Sequence, residues 1–202
     1  MRLAFLGLML ASVVLAPALH AAPLERLKTL YPATPLWVGG QPRALLVAPE
    51  SLGDARDRLQ RLCRERAGID LPSVPPESLV ADDWAVDLEA VQGRTLVALG
   101  NINDNRLLAV LWGAGTVVAD SIYPGPGGYA LRTVHDPFSC GVNVLALTGS
   151  DAAGVARAVE AFAAGWLAAP GADLVLPEPV VAVDLRIVHH RFFPDAAASM
   201  ES

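Results

Sequence analysis

Three short apolar runs, residues 44–47, 95–99 and 142–147, constrain this chain more than any other feature. The first, bounded by turn residues, has the pattern of a buried strand; the second reads as a strand and the third as a β-rich run. A helical repeat follows each run. After the first, Leu52, Ala55, Leu59, Leu62 and Cys63 recur at helical spacing, with Ser51 and Asp54 close to a capping box and Gly68 as the stop. Behind the second, a turn over residues 100–104 leads into a short helix over 105–112 that Gly113 ends. Behind the third, Ser150 is the expected N-cap. Asp151 falls in the first turn, where negative charge suits the helix dipole, and Val155, Val159, Phe162 and Trp166 form a stripe that Pro170 stops.

Residues 129–134 are β-rich and are joined to the third run by the loop 135–141, which predicts a wide antiparallel hairpin. Residues 180–185 are the expected last strand, and 36–38 an edge strand. The fold class is therefore α/β, with α+β the alternative: a mixed sheet of about four to six strands with an antiparallel hairpin and three main helices packed on it. At 53% hydrophobic and 18% charged residues, the chain can bury one core and is not a disordered sequence. The expected division is a leader over 1–22, an irregular lead-in over 23–43, an α/β domain over 44–186 and a tail or truncated linker over 187–202. Residues 71–93, rich in proline and acid, are a connecting excursion between the first two strand-helix units.

Met1-Arg2, the uncharged stretch 3–16, Pro17 and the small-residue region Ala18-Leu19-His20-Ala21-Ala22 have the layout of a cleavable secretory signal. The apolar stretch is 14 residues long. A bilayer span needs about 20. No cysteine stands at the junction to take a lipid, so the expected location is periplasmic or extracellular, with no membrane attachment after cleavage near Ala18, Ala21 or Ala22. Export would let a disulfide between Cys63 and Cys140 persist. It would close a loop of 76 intervening residues, worth about 4 kcal/mol in the chain-entropy account. Two separate thiols, with Cys63 buried on its helix, are the preferred reading, because spacing says nothing about approach distance.

A formal charge of −6 offers no footprint for a nucleic-acid backbone. Lys28 is the only lysine, a poor candidate for a lysine nucleophile. The glycines of Tyr123-Pro124-Gly125-Pro126-Gly127-Gly128-Tyr129 feed a strand, not a helix N-terminus, so they are no phosphate loop. Gly149-Ser150-Asp151 lacks the spacing of a nucleophile elbow. Asp82-Asp83 and His189-His190 are adjacent pairs whose side chains diverge in extended chain, so no metal site and no cofactor are expected. The arginine-rich face of the first helix is a solvated surface of i,i+4 pairs. The residues best suited to ligand contact are Asn101, Asn103, Tyr123, Tyr129 and Arg132, with Asp120 beside them. Rings, amides and a guanidinium suit sugar faces and carboxylates, although turn formation and sheet packing explain the same residues.

From residue 120 the string becomes specific: Asp120-Ser121-Ile122-Tyr123-Pro124-Gly125-Pro126-Gly127-Gly128-Tyr129-Ala130-Leu131-Arg132-Thr133-Val134, then Asp136-Pro137, Gly141-Val142-Asn143-Val144 and Gly149-Ser150-Asp151 with Gly154-Val155. It resembles the α/β accessory domain that precedes the catalytic domain in secreted carbohydrate-active enzymes of the β-hexosaminidase and α-glucuronidase type, also met in heparinase-like polysaccharide-degrading proteins. The resemblance implies a support module without catalytic residues, its partner a catalytic glycan-processing domain or protein, with carbohydrate as a further contact. The alternatives are a small exported hydrolase using Asp120, His135 or Asp136, which needs two of them within hydrogen-bond reach, and a periplasmic ligand-binding protein, which needs a deep cleft.

Overall fold

The computed structural model describes residues 33–167 and 171–186. The leader, most of the lead-in with Lys28, Pro170, the His189-His190 pair and the tail 187–202 lie outside the described residues. In chain order the strands are β1 (Thr34–Val38), β2 (Gln41–Pro42), β3 (Ala44–Val47), β4 (Ser73–Val74), β5 (Thr95–Gly100), β6 (Tyr129–Val134), β7 (Val144–Gly149), β8 (Leu174–Leu176) and β9 (Val181–Asp184). The helices are α1 (Gly53–Ala67), α2 (Leu88–Val91), α3 (Arg106–Gly113) and α4 (Ala152–Trp166).

The fold is α/β. A mixed six-stranded sheet has the order β4-β3-β5-β7-β6-β9, and a small antiparallel sheet, β2-β1-β8, packs Leu36, Trp37 and Leu176 into the same core. β4, β3, β5 and β7 run parallel, while β6 is antiparallel to both β7 and β9. The three apolar runs are the adjacent central strands β3, β5 and β7, and every residue of each is buried. Alternation along them divides the core into two layers. Leu46, Val97, Leu99, Leu145 and Leu147 face α1 and α4, and Leu45, Val47, Leu96, Ala98, Val144 and Ala146 face α2 and α3. The predicted stripe of α4 is in place: Val155, Val159 and Phe162 are buried, and Trp166 stacks on Phe162 at 6.0 Å.

Several local expectations are corrected. No side chain caps α1; a 3-10 turn over Glu50–Leu52 leads into it, so Ser51 and Asp54 do not form the capping box. Gly68 does close the helix, at φ 68°, donating to the Arg64 carbonyl. Asp151, not Ser150, is the N-cap of α4, accepting from Gly154 N at 2.7 Å, because the Ser150 hydroxyl is already accepting from Gly125 N at 2.9 Å. The excursion 71–93 contains β4 and α2, the latter capped by Asp87, which accepts from Glu89 N and Ala90 N.

Cys63 and Cys140 are free thiols on opposite faces of the sheet, Cys63 within the α1/α4 layer and Cys140 against the α2/α3 layer. The sheet between them is the physical reason they do not pair. Burial pushes the Cys63 thiol up to about 12.

Gly128, Gly149 and Gly154 meet where the glycine-rich loop crosses the turn from β7 into α4. A Cβ on Gly149 would stand 2.5 Å from the Gly154 carbonyl carbon, one on Gly128 would stand 2.8 Å from the Pro124 and Asp184 carbonyl oxygens, and one on Gly154 would overlap the Gly128 oxygen. Arg157 adds a clamp from α4: it donates to Gly127 O at 2.6 Å, pairs with Asp184 at 2.5 Å and lies over the Tyr129 ring at 5.4 Å. The hydrogen bond from Arg157, reinforced by Arg186, holds the Asp184 carboxyl below its ordinary value.

Two outcomes follow from this packing. Gly→Ala inside a helix ordinarily stabilises by about 1 kcal/mol, but Gly154→Ala is expected to destabilise by roughly 1–3 kcal/mol through overpacking, read as a lower urea midpoint at unchanged slope. Thiol labelling of the native protein should modify Cys140 and spare Cys63, with both reacting only after unfolding.

Candidate functional site

Open α/β sheets take ligands at the carboxyl ends of their parallel strands, where successive connections leave on opposite faces. Here α1 and α4 leave β3 and β7 on one face, and α3 leaves β5 on the other. The crevice this creates beside β5 and β7 is filled by the chain itself. Asn101, buried at the end of β5, donates from Nδ2 to Gly149 O at 3.1 Å and Ser150 O at 3.4 Å, while its Oδ1 accepts from Asn103 N at 2.8 Å. Asp104 accepts from Asn101 N at 2.7 Å, and burial raises its carboxyl above the ordinary value. The segment 119–128 closes the remainder. Ala119 O accepts from Ile102 N, Gly125 N donates to Ser150 Oγ, and Gly127 N donates to Asp151 Oδ2 at 2.9 Å.

Most of the ligand residues expected from sequence are held by partners within the fold. Asn101 is spent on the interior bonds just described. Tyr123 closes a turn, its N–H donating to Asp120 Oδ1 at 2.7 Å. Tyr129 packs toward the α1/α4 layer beneath Arg157. Arg132, three residues on, is exposed on the opposite face of β6. Asn103 lines a recess.

In the hydrolase alternative, Asp120 is separated from the other two residues. Asp120 is at the carboxyl edge, its Oδ1 accepting from Ile122 N and Tyr123 N, both at 2.7 Å. His135 and Asp136 follow β6 at the opposite edge, about 17 Å away at the usual rise per strand residue. There Asp136 accepts from Gly141 N at 2.7 Å, and burial lowers the His135 pKa. Neither can share a proton with Asp120.

The recess that Asn103 lines is an open groove of about 570 Å³, lined also by Trp84 and Trp112. Trp84 is 56% and Trp112 51% exposed, whereas Trp37 is 2% exposed. Trp112 ends α3 off the buried stripe of Leu107, Leu108 and Leu111. Trp84 is at the tip of a tight loop in which Ala81 and Ala85 bond and Asp83 caps Ala85 N, and its backbone is left-handed at φ 68°. For a non-glycine residue that conformation costs about 1–2 kcal/mol. Arg106 ties the loop to the start of α3, donating to Asp82 Oδ1 at 2.7 Å. Sequence reasoning missed both indoles. The available signals were a tryptophan one position past an apolar helical stripe and another set among aspartates.

A smaller recess of about 370 Å³ lies at the carboxyl ends of β3 and β4, beside Glu50 and Arg56. At the far edge of the sheet, β9 leaves Val181, Val183 and the following Leu185 exposed by 72%, 49% and 54%. Val181 and Val183 share a face with Arg132 and Ala130 through the β6–β9 register. Among the described residues, no group of three or more His, Cys, Asp or Glu could hold a metal ion, and no helix is long and apolar enough to cross a membrane.

No protein-family model matches the chain, and comparison with curated proteins gives no match. Among solved structures, that of CpGH84D, a glycoside hydrolase family 84 protein, is similar with a TM-score of 0.43 and 14% identity, over 73% of this chain and 22% of that one. This chain thus spans about a fifth of the length of that relative.

If Asn101 holds the crevice shut, Asn101→Ala leaves the Gly149 and Ser150 carbonyls without its amide. The expected cost is about 1–3 kcal/mol, measured by urea unfolding, together with faster amide exchange across residues 119–128.

Proposed function

We propose that this chain is an exported, non-catalytic α/β module that serves polysaccharide or glycoconjugate processing by seating a catalytic glycan-processing domain or protein. The observation that carries this reading is the filled carboxyl edge. The place where such a sheet would build a reaction site is occupied by the segment 119–128, with Asn101, Ser150 and Asp151 committed to holding it. Of the side chains a hydrolase would combine, Asp120 belongs to one edge of the sheet and His135 and Asp136 to the other.

What remains available is surface. Sheet edges are ordinarily blunted with charge, proline or a covering element. β9 instead carries exposed Val181 and Val183, with exposed Arg132 in register beside Val181. An apolar strip with a charged rim suits protein–protein contact. The leader over residues 1–22 supplies the export, and the string over 120–155 supplies the carbohydrate context by its resemblance to accessory domains.

Expressed in a bacterial host with its own leader, the protein is expected in the exported fraction with an intact mass that starts near residue 19, 22 or 23. The purified chain should release no product from aryl glycosides or from polysaccharides in a reducing-end assay. Turnover that scales with protein concentration and survives repurification would overturn the reading. Co-elution with a glycan-processing enzyme of the same exported fraction should fall at least tenfold in a Val181→Asp, Val183→Asp double variant.

A further inference from the structure

The groove between Trp84 and Trp112 has no role in seating a partner on β9 or in closing the carboxyl edge, yet three separate elements are fixed so as to form it. The loop carrying Trp84 is pinned by backbone bonds between Ala81 and Ala85 and by the Asp82–Arg106 pair, which reaches across to α3. Trp112 belongs to α3 itself, whose N-terminus is anchored by Asn105: its side chain accepts from Leu107 N and donates to the Val47 and Leu99 carbonyls. Asn103 is positioned from behind, its N–H donating to the buried Asn101 Oδ1. The other tryptophans are used in packing: Trp37 is buried, with its indole N–H donating to Gly171 O, and Trp166 stacks on Phe162.

We propose that this groove is a binding subsite for a neutral pyranoside unit of a glycan, with Trp84 and Trp112 as stacking platforms and Asn103 as the hydrogen-bonding group. The ligand class, a sugar, rests on the carbohydrate reading above; the location rests on the groove alone. Its volume of about 570 Å³ falls in the range of sites for small ligands, about 300–1,000 Å³. Aromatic faces carry the negative side of the ring quadrupole and attract the polarised C–H face of a sugar ring. One carboxamide presents an acceptor and two donors, the complement of a pair of vicinal hydroxyls.

Charge selects among ligands that stack on indoles. No ionisable side chain lines the groove, and Asp82 and Arg106 nearby neutralise each other. A nucleotide would bring phosphate to a chain of net charge −6 without a lining cation. A uronate-rich chain would meet the same lack. An amphipathic helix needs an extended row of apolar pockets at i, i+3 and i+4 spacing, whereas here the Asn103 amide interrupts the apolar wall.

The test is titration of the full chain, followed by tryptophan fluorescence and calorimetry, with cellohexaose, xylohexaose, chitohexaose and, for charge, oligogalacturonate. At least one neutral hexasaccharide is expected to give a saturable fluorescence change, with oligogalacturonate at least tenfold weaker. Trp84→Ala and Trp112→Ala should each weaken binding at least tenfold and Asn103→Ala about fivefold, at unchanged urea midpoints, while Trp112→Tyr restores most of the affinity and Arg61→Ala, on the exposed face of α1 across the sheet from α3, leaves it unaltered. Saturable binding that ignores the Trp84 and Trp112 substitutions would overturn the groove assignment and leave the carbohydrate reading standing. If no neutral hexasaccharide binds, or an apolar helical peptide alone shifts the indole signal, the subsite is refuted. Partner co-elution through β9, measured on the same preparations, then decides separately whether the accessory role survives.

Discussion

The structure depends on a close backbone approach at one corner of the sheet. Gly128, Gly149 and Gly154 bring the glycine-rich loop, the end of β7 and the first turn of α4 within distances that leave no room for a Cβ. A side chain at any of them would push the loop off the turn, and with it the Gly125 and Gly127 amides that bond Ser150 and Asp151. The contact is a steric requirement more than a matter of glycine flexibility, since φ is positive at none of the three. It spans the second half of the fold: α4 reaches β9 through Arg157 and Asp184, and β9 completes the sheet beside β6.

That corner has a functional consequence. Alternating α/β connections create a crevice at the carboxyl edge, and enzymes on such sheets commonly exploit it. In this chain the same crevice is closed by bonds among Asn101, Ser150, Asp151 and the 119–128 segment. The remaining opportunities lie on the outside, in a groove walled by two indoles and in an edge strand with exposed valines. Both are suited to binding and neither collects acid, base and nucleophile in one place. The proposed role, a module that contributes contacts to a partner, draws on that distribution.

Much of the fold was legible because it follows from two periodicities. Buried parallel strands must be apolar on both faces, so residues 44–47, 95–99 and 142–147 declared themselves, and the α4 stripe of Val155, Val159 and Phe162 declared its sheet-facing side. What escaped was short or non-local. β4 and β8, two and three residues long, exist only through their partners β3 and β1, and α2 is a single turn held by the Asp87 cap. Ser150 looked like the cap of α4 because the rule for caps is local, and nothing in the local sequence reveals that Gly125 claims its hydroxyl. The site was harder still. Asn101 and Tyr129 have the chemistry of ligand contacts, but tertiary bonds turn both to packing. Trp84 and Trp112 are 28 residues apart in sequence, and the packing of Leu79 and Val80 with Leu107, Leu108 and Leu111, together with the Asp82–Arg106 pair, brings them to one groove.

The account stands or falls on whether the carboxyl edge is closed in solution, and amide hydrogen exchange at Gly125 and Gly128 reads this directly. Their N–H groups donate to Ser150 Oγ and to Gly125 O in a loop that sequence alone would leave in water. The account predicts protection within about tenfold of the Val97 and Leu145 amides in the central strands, lost together with them on global unfolding. Exchange at the rate of an open loop, while Val97 and Leu145 remain protected, would mean that the crevice is accessible and that this corner does not close the sheet.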